Sequence, residues 1–200
     1  MKKIVLVISI FMIVASTAYS QAYAVGDKVD HFKLKNVDDQ FVSTKDYKNA
    51  KGFIIVFTCN TCPYAVKYED RINALDKKYK VKHFPVIAIN PNDPEVQSDD
   101  TYALMKDKAK EKNFSFPYLY DPGRKVSAVF GATRTPHIYL LSKKDKKLTV
   151  EYIGAIDDNF KDASKVNKKY LEDAIDALLA GKKPVPNHTK AIGCSVKKKS

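Results

Sequence analysis

Lys51-Gly-Phe-Ile-Ile-Val-Phe-Thr58, followed at once by Cys59-Asn-Thr-Cys62-Pro63, decides how this chain folds. The first part is a continuous apolar run of strand length, the pattern of a strand buried on both faces. Pro63 stands where a helix tolerates proline, at a first position whose N–H would be unpaired anyway. Beyond it Ala65, Tyr68, Ile72, Leu75 and Tyr79 recur in steps of three and four, one face of a helix. The cysteines therefore lie in a loop joining a buried strand to a helix. The spacing predicts Cys59 at or just before the helix start and Cys62 one turn inward.

That junction suits thiol chemistry. The free N–H groups and the positive end of a helix dipole stabilise an anion. A thiolate is such an anion and is the attacking species in disulfide exchange. The Cys59 pKa is therefore expected below its free value of roughly 8.5. Cys62 would attack a mixed disulfide on Cys59 and release the partner reduced. A purely structural disulfide here would close a tiny loop and contribute little. A zinc site would need two more ligands, and His31, His83, His137 and His188 show no paired spacing.

Outward from this segment, strand and helix patterns alternate. Phe32–Lys35 and Gln40–Val42 flank Asn36-Val-Asp-Asp39 and read as a hairpin. Phe84-Pro-Val-Ile-Ala-Ile89 is a second buried strand, followed by a turn-rich Pro91-Asn-Asp-Pro94. Thr101–Lys112 suits a charged helix, Phe116–Tyr120 a short strand, and Asp121-Pro-Gly123 the start of a helix ending near Gly131. His137–Leu141 and Leu148–Ile156 form a hairpin around the basic Lys143–Lys147. The last helix carries Val166, Tyr170, Leu171, Ala174, Ile175, Leu178 and Leu179 on one face and stops at Gly181, with Pro184 beyond. This order implies an α/β fold, a central mixed sheet flanked by helices on both faces. The Pro- and Lys-rich residues 182–200 read as a loose tail.

Thr135-Pro136 opens an apparent core strand, where proline removes a ladder hydrogen bond. Beside a C-x-x-C pair, the sharper reading is a cis-proline loop packed on the cysteines. Thr135 would then offer its backbone to an extended substrate.

Met1-Lys2-Lys3, the apolar run Ile4–Ala15 and the small, polar Ser16–Ala24 read as a secretory signal peptide, cleaved after about Ser20 or Ala24. The run is short of the roughly 20 residues of a spanning helix. The organisation expected is residues 1–24 signal peptide, 25–181 one globular domain and 182–200 tail. An exported chain, periplasmic or extracellular, meets an oxidising compartment where disulfides persist. The net charge of +12 falls to +10 without Lys2 and Lys3. Lysines spread over every segment read as a solvated surface. No Arg patch interleaved with aromatics indicates nucleic acid, and Lys197–Lys199 could touch an anionic membrane surface weakly.

Strand, C-x-x-C, helix, Thr-Pro, hairpin and final helix resemble the thioredoxin superfamily. The hairpin before the first core strand and the insertion from Pro91 to Lys112 resemble its redoxin branch, the alkyl hydroperoxide reductase and thiol-specific antioxidant group. Phe57-Thr-Cys-Asn-Thr-Cys-Pro-Tyr64, Ala88-Ile-Asn-Pro-Asn-Asp93, Phe116-Pro-Tyr-Leu-Tyr-Asp121, Ala132-Thr-Arg-Thr-Pro-His137 and Gly193-Cys-Ser195 are similar to a peroxiredoxin-like subgroup with a C-x-x-C motif. The likeness covers about residues 25–196 and implies a thioredoxin-like fold and thiol redox chemistry. The departures are specific. No Trp precedes Cys59, and Asn60-Thr61 replaces Gly-Pro. Against the peroxiredoxin pattern P-x-x-x-T-x-x-C, Ile55 and Cys59 stand where Pro and Thr belong. Arg134 lies near the position of the family's arginine.

The reading is an exported thiol–disulfide oxidoreductase serving cell redox homeostasis, without a cofactor or metal. Cys59 is the expected nucleophile, Cys62 the resolving cysteine, and Thr135 and Pro136 the docking loop. Its partners are a protein disulfide and a redox donor. Cys194 is a candidate third redox cysteine, or a spare thiol. Glu69, Asp70 and Asp121 are candidate acidic neighbours of the pair. The alternatives are a thiol peroxidase with antioxidant activity, and a copper-delivery module using Cys59, Cys62 and His137.

Overall fold

Each residue of the strand Gly52–Phe57 is buried, and its side chains alternate between two cores, as a pleated strand requires. Ile54 and Val56 face one cluster, while Phe53, Ile55 and Phe57 face the other. The structure, a computed structural model, describes residues 22–199. The apolar run read as a signal peptide lies outside the described residues.

In chain order, β1 (Lys28–Val29), β2 (Lys33–Asn36) and β3 (Phe41–Ser43) precede β4 (Gly52–Phe57). Then come α1 (Pro63–Lys80), β5 (Val86–Asn90), α2 (Tyr102–Glu111), β6 (Tyr118–Tyr120) and α3 (Lys125–Phe130). β7 (Arg134–Thr135), β8 (His137–Lys144), β9 (Lys147–Gly154), α4 (Tyr170–Leu179) and β10 (Cys194–Ser195) complete the described chain. Eight strands form one mixed sheet in the order β1-β9-β8-β4-β5-β6-β2-β3. β4 runs parallel to β5 and antiparallel to β8. The N-terminal hairpin β2–β3 extends the sheet through β6. This is the thioredoxin-like α/β fold that the sequence predicts.

The two faces are covered unequally. α1, α2 and α4 bury Tyr68, Ile72, Leu75 and Tyr79, then Met105, then Leu171, Ala174 and Ile175, on the Ile54 face. On the other face α3 contributes Phe130, beside Val29 and Leu34 of the N-terminal strands. The caps follow local chemistry. Thr101 Oγ1 accepts from the Leu104 amide at 3.4 Å to open α2, and the Asp121 carboxylate accepts from the Val126 and Ser127 amides to open α3. No helix among the described residues is long and apolar enough to cross a membrane.

Two expectations are corrected. Val166 is not on the last helix. The Asp162 side chain caps a single 3₁₀ turn, Ala163–Lys165, and leaves Val166 extended. α4 begins at Tyr170, where the Leu171 amide is held by the Ile156 carbonyl at 3.1 Å. The tail is also not loose. Ile153 donates to the Asn187 carbonyl, Thr189 donates to the Ile153 carbonyl, and the Ala155 amide bonds Thr189 Oγ1 at 3.0 Å. Further on, β10 pairs antiparallel with β7, and Lys197 and Asp93 bond through their backbones. Free backbone groups at the sheet margin need partners, and the tail supplies them. Lys199 pairs with Glu95, so one of the three terminal lysines is already neutralised.

Candidate active site

α1 begins at Pro63, and Cys62 is its N-cap, with φ −60° and ψ 122°. The amide end of the helix therefore adjoins Cys62, and Cys59 lies further out in the loop, against expectation. The physical reason is Asn60. Its amide donates to Asp100 Oδ1 at 2.8 Å and its side chain donates to the Asp99 carbonyl at 2.7 Å. These bonds pin the loop to the insertion ahead of α2 and keep it out of the helix.

Both cysteines are buried, Cys59 5% and Cys62 6% exposed. Each meets Thr135, whose peptide bond to Pro136 is cis. Cys59 Sγ bonds Thr135 Oγ1 at 3.2 Å, and the Cys62 thiol donates to the Thr135 carbonyl at 3.1 Å. Cys194 stands opposite Thr135 in the β7–β10 register and packs against the pair. Cys59, Cys62, Thr135, Pro136 and Cys194, far apart in sequence, thus form one cluster.

The charges within it are unequal. The Cys62 thiol is pushed well below its ordinary value, first by the Cys59 thiol, with the Cys194 thiol and the Ala65 and Cys194 amides adding to it. Burial and the Thr135 carbonyl oppose the anion, and the donors outweigh them. Cys59 is pushed the other way, by its partner Cys62, by burial and by the charge of Asp100. Within the pair, ionisation is thus favoured at Cys62 over Cys59. Cys194 is pushed up to about 11 by burial and by Cys62.

Asp100 is the carboxylate that sequence reasoning missed. It is fully buried, and besides the Asn60 amide it accepts from Asn90 Nδ2 at 3.0 Å and Asn92 Nδ2 at 2.6 Å. The Tyr118 hydroxyl joins Asn60 to Asn90, and Asn92 Oδ1 accepts from the Lys197 amide at 2.8 Å. One polar network thus connects the cysteine loop, the insertion and the tail. The available signal was the density of Asn and Asp between a buried strand and the Thr101 cap. The acidic residues singled out from the sequence serve elsewhere. Buried Glu69 faces Lys108 and Lys112, Asp121 caps α3, and Asp70 is exposed. Arg134 donates to Ser195 Oγ at 2.7 Å, so its guanidinium is engaged with β10.

His137 is buried beside Pro136, with the Thr133 amide 3.5 Å from its Nδ1. Burial, with a smaller contribution from His188, lowers its pKa to about 4. The unfolded side chain takes a proton below roughly pH 6.5, while the folded one stays neutral. Stability should therefore fall as pH drops from 6.5 towards 4, by about 3 kcal/mol at most. Urea unfolding at stepped pH checks this: His137→Gln should flatten that part of the profile, and an unchanged profile would refute it. Among the described residues no group of three or more His, Cys, Asp or Glu side chains is placed to hold a metal ion.

The AhpC/TSA family model matches residues 25–167. The thiol-disulfide oxidoreductase ResA of Bacillus thuringiensis (strain Al Hakam) is 26% identical over 130 residues, 65% of this chain and 70% of that protein. Among solved structures, an uncharacterized conserved protein from Geobacillus kaustophilus is 35% identical, with a TM-score of 0.79 over 88% of this chain and 93% of the other. A thiol:disulfide interchange protein DsbE from Chlorobium tepidum, 22% identical, shares the fold with a TM-score of 0.60 over 79% of this chain and 99% of its own.

Proposed function

The chain belongs to the AhpC/TSA family, and on that basis we propose that it is an exported thiol–disulfide oxidoreductase acting on protein disulfides. The observation that carries the reading is the buried pair Cys59–Cys62 against Thr135 beside the cis-proline. The Cys62 thiolate attacks one sulfur of a client disulfide, forming a mixed disulfide and expelling one client thiolate. Cys59 then attacks Cys62 Sγ, expels the second client thiolate and closes the Cys59–Cys62 disulfide. The client gains two electrons, and a protein dithiol restores the pair by the reverse exchange. Pro136 and the Thr135 backbone form the wall beside the pair. The order of the two cysteines is the reverse of that expected from the sequence, because the helix amides adjoin Cys62.

The named relative supports the activity, and residues 1–24 support export. Of the two processing points, Ser20 keeps Tyr23, whose ring meets Phe130 at 5.2 Å between centroids; cleavage after Ala24 would remove that contact.

The test combines turnover with titration. The mature protein should accelerate insulin reduction by dithiothreitol. Its Cys62 should react with iodoacetamide at a nearly level rate from pH 6 to 8, whereas an ordinary thiol gains roughly tenfold per pH unit there. No acceleration would overturn the activity; a level profile at Cys59 instead would reassign the nucleophile.

A further inference from the structure

The edge of β7 that a client would use is already filled by the chain itself. β10 pairs with it in antiparallel register, Cys194 opposite Thr135 and Ser195 opposite Arg134, and the Val196 amide extends the ladder to the Thr133 carbonyl at 3.1 Å. Gly193 makes this approach feasible, since a Cβ there would lie 2.2 Å from the Thr135 carbonyl oxygen and 3.1 Å from Pro136 N. Beyond the ladder, Lys197 is held on both sides, by Asn92 Oδ1 and by the Asp93 amide. The strand thus carries its cysteine to the same wall, where it packs against Cys59 and Cys62. Cys59 and Cys62 are buried, whereas Cys194 is half-buried.

We propose that β10 is a built-in substrate strand and that Cys194 is a third redox residue, exchanging with the Cys59–Cys62 disulfide at Cys62 to bring the oxidised bond to the surface. The proposal rests on the thiol–disulfide reading above. In the step itself, the Cys194 thiolate attacks Cys62 Sγ. The Cys62–Cys194 bond forms, the Cys59–Cys62 bond breaks, and the proton released by Cys194 ends on Cys59. No electrons leave the chain. Burial and the neighbouring Asp100 favour the neutral Cys59 thiol as product. An outside protein dithiol then attacks the half-buried Cys194 sulfur and expels Cys62 as its stabilised thiolate, the better leaving group. Its second thiol releases Cys194, and the three cysteines end reduced. The pair also controls the timing. Burial holds the proton on Cys194, and Cys62 adds to this while it is reduced. Once Cys62 is bonded to Cys59 that influence is gone, and Arg134 and Lys197 still favour the Cys194 anion.

The experiment offers insulin to full-length mature wild type, Cys59→Ser and Cys59→Ser/Cys194→Ser, quenches with acid and alkylation, and maps disulfides without reductant. Cys59→Ser should end with an intramolecular Cys62–Cys194 bond, and the double variant with an insulin chain on Cys62. Gly193→Val, placed in the Cys59→Ser background, should cut the Cys62–Cys194 yield about tenfold. An insulin adduct persisting on Cys62 in Cys59→Ser, or an undiminished yield with Gly193→Val, would overturn the relay while the oxidoreductase reading stands. Failure of wild type to reduce insulin sinks that reading instead.

Discussion

Replacing Cys62 by serine is expected to lower insulin reduction by about a thousandfold or more, because it removes the attacking thiolate itself. The other cysteines do not compensate: the Cys62 influence on Cys59 is lost with the substitution, but burial and Asp100 still oppose its ionisation, and burial opposes that of Cys194. The serine hydroxyl still fits the N-cap of α1, a position that serine favours, so the fold should survive. Far-ultraviolet circular dichroism alongside the turbidity assay separates lost chemistry from lost structure. Cys59→Ser should behave differently: it keeps the first attack, and release of the client then falls to Cys194. A dead Cys59→Ser with a Cys62→Ser that accumulates mixed disulfides would reverse the two roles.

The second large effect concerns Asp100. Its carboxylate accepts from the Asn60 amide and from the Asn90 and Asn92 side chains in a fully buried site. Asp100→Ala leaves those donors unpaired, at about 1–3 kcal/mol each, so a loss of roughly 3 kcal/mol or more is expected from denaturant unfolding. The same change removes the negative charge that opposes ionisation of Cys59. Alkylation of Cys59 should then begin at lower pH than in the wild type. Asp100→Asn separates the two roles, since it keeps the shape but not the charge. A Cys59 profile unmoved in both variants would mean that Asp100 only props the loop.

The segment ahead of α2 explains why this residue escaped a reading of the sequence. Asp99-Asp100 looks like any solvated acidic turn before a helix, and nothing local distinguishes a surface carboxylate from one sealed under a loop forty residues earlier. Glu69 misled for the complementary reason: it is buried on α1, but its burial serves Lys108 and Lys112 of α2. The tail shows the same limit. Its Lys and Pro content predicts solvation, yet what holds it is backbone hydrogen bonding, which side-chain composition does not record.

The sequence by itself determined the core strands of the sheet, the helices and the meeting of a thiol pair with a helix start. Those follow from short-range periodicity: the run through β4, the three-and-four spacing of α1, and two thiols at the junction. It also brought Thr135 and Pro136 into the site, because proline at the start of a core strand is locally conspicuous. Only the tertiary structure decided which thiol adjoins the helix amides, which carboxylate lies under the cysteine loop and where Cys194 lies. Those depend on long-range contacts: Asn60 tied to Asp100 holds Cys59 away from the helix that starts at Pro63, and Gly193 lets the chain end lie on Thr135. Proton affinity in a buried cluster is set by whatever the fold places within a few ångströms, and that proximity is not written in the spacing of residues along the chain.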